Sequence, residues 1–175
     1  MAERERERVR ERGPREESPY EQLFASREEF HERQRTGKVV IRQSDREYEL
    51  NRQGRILWFL NPMSYNDACL NDWLLFIHDI RTHSGRHRHQ GGLSLFVIEG
   101  KGYTIVDGVR YDWEEGDLIL LPFKENGVEH QHFNREPGKS CKWLAFINVP
   151  IWEWGAAEMT QTELSPEWIA QQETQ

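Results

Sequence analysis

Five of the seven histidines lie between His83 and His132. Four of them form two His-x-His pairs, His87-Arg88-His89 and His130-Gln131-His132. On a β-strand, residues i and i+2 project from the same face, so each pair sets two imidazoles side by side. Neutral imidazole nitrogen is a ligand for Fe(II), Mn, Zn, Ni and Cu. One such pair fits a surface or structural role as well as a metal edge. Two pairs in one small β domain point to a metal centre, provided the fold brings them together. Arg81, Arg86, Arg88 and Gln90 flank the first pair and are candidates for holding a carboxylate, with arginine favoured for its bidentate geometry. Strand alternation turns Arg88 away from the face that carries His87 and His89. The two cysteines, Cys69 and Cys141, form no CxxC and are expected as reduced thiols.

The elements that must position these residues are short. Ser18-Pro19-Tyr20-Glu21 reads as a helix start, with Ser18 as cap and Pro19 in the first turn. Tyr20, Leu23, Phe24 and Phe30 give a partial apolar stripe, and Gly37 is a stop, so one helix over 18–37 is expected to pack on the body of the domain. From Lys38 onward, runs of β-branched and aromatic residues alternate with turn residues. Lys38 to Arg42, Glu47 to Leu50, Ile56 to Leu60, Trp73 to Ile80, Leu93 to Ile98, Tyr103 to Val106, Leu118 to Leu121, Val128 to Phe133 and Lys142 to Val149 are the candidate strands. Glu99-Gly100-Lys101-Gly102 and Asp107-Gly108 read as hairpin turns. Eight to ten short strands at this spacing predict an antiparallel barrel or sandwich over 38–160. Ser165-Pro166-Glu167-Trp168 repeats the cap-proline-acid signature, so a short helix is expected within 161–175.

Composition bounds the rest. The chain has 175 residues, 30% of them charged and 37% hydrophobic, with a mean hydropathy of -0.86. That length supports one domain. No apolar run approaches the roughly 18 residues that cross a bilayer. The Arg/Glu-rich start, residues 1–17, reads as a charged tail without a secretory signal, and a cytoplasmic protein is expected. With 23 basic against 30 acidic residues the net charge is -7, which disfavours nucleic acid as the main partner.

The spacing of the histidine-bearing segments carries a resemblance. Gly85-Arg86-His87-Arg88-His89, then Leu93 and Gly100, is similar to the first cupin motif. Gly116, Pro122, Gly127-Val128-Glu129-His130 and Asn134 resemble the second, with three extra residues between Pro122 and Gly127. The resemblance to the cupin superfamily covers roughly Trp73 to Val149. It implies a jelly-roll β-barrel, here flanked by an N-terminal helix and a short C-terminal helix, with a metal inside the barrel. Carried over residue by residue, the implied ligands are His87, His89 and His130. The usual glutamate ligand falls at Leu93, so the implied site is three neutral imidazoles, which leave a divalent ion its full charge and open positions.

A narrower resemblance is to the gentisate 1,2-dioxygenase group. It is carried by His87-Arg88-His89, the residue type at Leu93, Phe96-Val97-Ile98-Glu99-Gly100, and the His130-x-His132-x-Asn134 pattern. It implies Fe(II) on three histidines, dioxygen, and ring cleavage of a small hydroxylated aromatic acid, with His132 beside the substrate in proton transfer. The chain departs from that group in three ways. It carries one such domain where those enzymes usually have two. An arginine that holds the substrate carboxylate in the group falls at Leu95. The insertion Phe123-Lys124-Glu125-Asn126 reshapes the mouth, so a different aromatic substrate is expected. Trp58, Phe59, Trp73, Phe76, Trp143 and Phe146 lie on candidate strands, and Trp58 and Phe76 with Arg81 and Gln90 are the candidate substrate contacts. The alternatives are a non-oxidative metal-dependent enzyme (isomerase, lyase or decarboxylase) using Mn, Zn, Ni or Cu, and a small-ligand-binding module without catalysis. A homodimer is expected, because a small open barrel leaves strand edges to cover.

Overall fold

The computed structural model describes residues 18–174, so the charged tail read at 1–17 lies outside the described residues. The helix α1 (Pro19–Thr36) starts where the Ser18 side chain accepts from the Glu21 amide and ends at Gly37. It does not pack as expected. None of its residues is buried, and Tyr20, Leu23 and Phe24 face outward. Its apolar positions are too few and too interrupted by charge to make a face that a core would take up. It is tied to the body near its end, where Arg33 reaches Asn66, and just beyond it, where Lys38 bridges to Ala68.

Eleven strands follow, in two antiparallel sheets. They are β1 (Tyr48–Asn51), β2 (Gly54–Leu60), β3 (Trp73–Asp79), β4 (Arg86–His89), β5 (Leu93–Glu99), β6 (Lys101–Val106), β7 (Val109–Glu114), β8 (Leu118–Leu121), β9 (Val128–Asn134), β10 (Lys142–Asn148) and β11 (Thr160–Glu163). One sheet runs β1-β2-β3-β10-β5-β8 and the other β11-β4-β9-β6-β7. Inward residues of both sheets form one core that includes Ile80, Leu95, Val97, Trp113, Val128, Trp143 and Ala145. The expected jelly-roll frame is therefore present.

Four local differences matter. Lys38 to Arg42 is not a strand. Val39 and Val40 are exposed, and the segment leads into a single 3-10 turn at Gln43–Asp45. β-propensity alone does not make a strand when no sheet face takes up the side chains. Glu99 to Gly102 is not a hairpin, because β5 pairs with β10 and β8, whereas β6 pairs with β7 and β9. Gly100, at φ 86°, instead turns the chain from one sheet to the other. A short helix α2 (Val149–Trp154) ends the last long strand, capped by Asn148. The polar strand β11 closes the edge of the second sheet against β4, and α3 (Pro166–Glu173) follows, capped by Ser165 as the sequence predicts. No helix among the described residues is long and apolar enough to cross a membrane.

Candidate metal centre

The alternation expected of the first His-x-His pair holds on β4. His87 and His89 are buried, while Arg86 and Arg88 point outward to Glu163 and Glu129. On β9, His130 and His132 are likewise buried. The register sets His87 directly opposite His130 across the β4–β9 ladder. The ring centroids are 4.2 Å apart for His87 and His130, 4.8 Å for His89 and His130, and 5.3 Å for His87 and His89. One nitrogen from each of the three lies within 4.8 Å of the others. Hydrogen bonding within one sheet, with a fixed two-residue period, is what brings them together.

Burial keeps these imidazoles neutral, which is the form that binds metal. Desolvation pushes His89 down to about 3, helped by His130. It pushes His130 down to about 4, against a hydrogen bond to Val128 that favours the proton. His87 falls well below its ordinary value from burial and then from the neighbouring His130 and His89. His130 Nδ1 lies 3.1 Å from the Val128 carbonyl. Donation there leaves Nε2 with a free lone pair. His87 Nδ1 is closed off from solvent without a hydrogen-bond partner. His89 Nδ1 accepts from the Gly91 amide at 2.9 Å. A metal on His89 must therefore compete with that amide or take Nε2 in the other tautomer. The donor set of three neutral nitrogens, with one orphaned buried atom and no carboxylate, fits a borderline divalent ion such as iron(II).

His132 is held differently. Its Nδ1 is 2.8 Å from Thr104 Oγ1, and the same hydroxyl accepts from Trp113 Nε1 at 2.8 Å. Trp113 fills one of the two acceptor sites of Thr104 Oγ1 and leaves the hydroxyl proton free to be donated to His132 Nδ1. With the hydroxyl donating, His132 carries its own proton on Nε2 and is a donor there. Burial keeps its charged form strongly disfavoured, reinforced by His130 and other nearby imidazoles.

The cluster opens into a cavity of about 620 Å³, within the range of small-molecule sites. Its walls include Trp58 and Phe76, 4.5 Å apart by ring centroid, with Leu93, Leu95 and Trp143. Arg81 and Gln90 are not among its lining residues. Arg81 is exposed and paired with Asp79, and the Gln90 side chain accepts from the Glu158 amide. Of the other aromatics considered, Phe59 and Trp73 are half-buried and Phe146 is exposed, and none of them lines the cavity.

The cavity also takes residues that the sequence reading missed. His78, on β3 of the opposite sheet, is buried, and desolvation pushes it down to about 3. Its place two residues after Phe76 in an apolar run was a usable signal. Trp152 on α2 packs 5.0 Å from His89. The Asn148-x-Pro150 capping pattern could have found that helix. Arg52, Gln53, Met159, Gln161 and Trp168 complete the mouth, and no local pattern marks them.

Residues 77–147 match the cupin domain family. A gentisate 1,2-dioxygenase from Streptomyces sp is 39% identical over 66 residues, covering 37% of this chain and 17% of that enzyme. A 5-aminosalicylate 1,2-dioxygenase from Comamonas sp is 40% identical over 48 residues, covering 27% of this chain and 12% of that enzyme. The matches thus span a small part of those relatives. Among solved structures, a salicylate 1,2-dioxygenase variant from Pseudoaminobacter salicylatoxidans in complex with gentisate shares the fold. Its TM-score is 0.51 at 20% identity, over 82% of this chain and 36% of that one. The polyketide cyclase RemF from Streptomyces resistomycificus shares it at a TM-score of 0.53 and 16% identity, over 74% of this chain and 88% of that one.

Proposed function

From a cupin domain at residues 77–147 whose barrel buries three neutral histidines in one cluster, we propose a metal-dependent dioxygenase. It cleaves the ring of a small hydroxylated aromatic acid. The observation that carries the reading is the ligand set. His87, His89 and His130 offer three nitrogens and no carboxylate at the base of an aromatic-walled cavity. Sequence similarity to two aromatic ring dioxygenases supports it. Iron(II) held there would supply the electron transfer between ring and dioxygen that cleavage requires.

The chain's own residues do the rest. Trp58, Phe76 and Trp143 present apolar faces that take up an aromatic ring and exclude water. His132, with its proton on Nε2, donates a hydrogen bond to an oxygen of the bound substrate and passes that proton as the ring opens. Thr104 is a positioning residue for it. The protein acts as a homodimer. Phe96 on β5, Phe146 on β10 and Leu118 and Leu120 on the edge strand β8 are exposed on the outer face of the six-stranded sheet and supply an apolar contact surface.

The test is elemental analysis of protein purified anaerobically without a metal-affinity tag, followed by oxygen uptake. Iron near one per chain, with uptake on some member of a panel of hydroxybenzoates, aminobenzoates and catechols, is the expected result. Iron verified in the site with no uptake across the panel overturns the oxidative reading. Anaerobic turnover with Zn, Ni or Mn would instead favour an isomerase, lyase or decarboxylase in which the metal acts as a Lewis acid.

A further inference from the structure

We propose that Arg52, at the β1–β2 hairpin turn, is the anchor for the carboxylate of the substrate and selects aromatic acids over their neutral analogues. This rests on the aromatic-acid reading above. The cavity lining contains no aspartate, glutamate or lysine among the described residues, and Arg52 is its one arginine. Arg52 is exposed at the cavity mouth, and its guanidinium is the one permanently charged group in that lining. An apolar cavity with one cationic pole fits an amphipathic anion.

Arg52 is available for that role. Its side chain makes no hydrogen bond or ion pair among the described residues. The neighbouring arginines are committed elsewhere. Arg55 and Arg81 face Asp79, Arg86 is shared by Gln131 and Glu163, and Arg88 faces Glu129. On β5, Leu95 presents only an apolar side chain to the cavity, so a carboxylate finds no partner from that strand.

The turn is also rigidly placed with respect to the metal ligands. The Gln53 amide donates to Asn51 Oδ1 at 2.9 Å. The Gln53 carbonyl accepts from the Gly85 amide at 2.9 Å, two residues before His87 on the adjoining segment. The Arg52 carbonyl accepts from the buried Ser165 amide at 2.9 Å. Gln53 Nε2 reaches Gln161 Oε1 at 2.9 Å, which ties the turn to β11. A long flexible side chain on a turn whose backbone is held by three hydrogen bonds loses less freedom on binding than one on a mobile loop. Guanidinium meets carboxylate through two parallel hydrogen bonds, a geometry that a carboxamide cannot match in charge.

The experiment is anaerobic titration of the iron-loaded protein, read by quenching of the cavity tryptophans. The probes are 2-hydroxybenzoate and 2-hydroxybenzamide, and iron content is measured for every variant. Arg52→Gln is expected to raise the Kd for the benzoate at least tenfold while leaving the benzamide within about twofold. Arg52→Lys keeps the charge and is expected to recover part of the benzoate affinity. Equal benzoate affinity in wild type and Arg52→Gln overturns the anchor and leaves the aromatic-acid reading standing. Failure of the iron-loaded wild type to bind any hydroxybenzoate overturns both.

Discussion

At the scale of single residues, two imidazoles two positions apart on one strand have different jobs because their ring nitrogens have different partners. His130 Nδ1 faces a backbone carbonyl and leaves Nε2 as an acceptor for metal. His132 Nδ1 faces a hydroxyl that already accepts from an indole N–H, and when that hydroxyl gives its proton to Nδ1, Nε2 is a donor. His130→Ala is expected to reduce bound iron from near one per chain to below a tenth, by elemental analysis. Thr104→Val removes the hydroxyl but keeps the shape. It leaves the Trp113 N–H unpaired in the core, an expected loss of about 1–3 kcal/mol in chemical denaturation. It also frees His132 to take the other tautomer. Catalytic turnover is expected to fall about tenfold with bound iron unchanged, a separation that a purely structural role for Thr104 would not produce. Iron loss in parallel with activity would contradict that assignment.

At the scale of elements, what could be read in the sequence followed from periodicity. The His-x-His pairs needed only the two-residue strand period to predict which face they share, and Arg88 turning outward follows from the same rule. The Asp107-Gly108 hairpin and the Ser165-Pro166 helix start were also legible, because their signals are local. Residues contributed by distant turns were not. Arg52 and Gln161 reach the cavity through a hairpin turn and a polar edge strand whose own patterns say nothing of a site. Glu99 to Gly102 misled for a related reason. A glycine-rich connection is equally suited to a hairpin and to a corner between sheets, and only the pairing partners decide. The two kinds of glycine turn can be told apart by experiment. Gly100 has φ 86°, and an added Cβ would stand 2.3 Å from the Ser140 carbonyl oxygen. Gly108 has nearly the same φ, 84°, and nothing within 4 Å. Gly108→Ala is expected to cost about 1 kcal/mol from backbone strain alone. Gly100→Ala is expected to cost roughly 2–3 kcal/mol more, because backbone must move. Urea denaturation of the two variants measures the difference, and equal losses would show that the corner has room to relax.

At the scale of the whole molecule, a barrel that keeps five histidines neutral inside it is built to fail in acid. His78 and His89 are pushed down to about 3 and His130 to about 4, by desolvation first in each case. In the unfolded chain a histidine titrates near 6.5. Between about pH 6.5 and 4 the unfolded state therefore takes up protons that the folded state refuses. The linkage gives stability that is present above pH 6.5 and lost as pH falls, by up to about 1.4 kcal/mol per pH unit for each such histidine. The Asp67 carboxyl, held down to about 2 chiefly by the Arg46 guanidinium, adds its loss only below pH 4. Two windows result, and the histidine window opens first. The metal-free protein is expected to lose several kcal/mol between pH 7 and 5 by chemical denaturation. Saturating metal, which binds the folded state, should raise stability at each pH without needing any change in fold. His78→Phe keeps an aromatic ring against Trp143 and removes one of the refused protons. Its stability profile is expected to be flatter by about one proton's slope over this range. An unchanged slope would mean that His78 is protonated alike in both states, and so has access to water in the folded barrel.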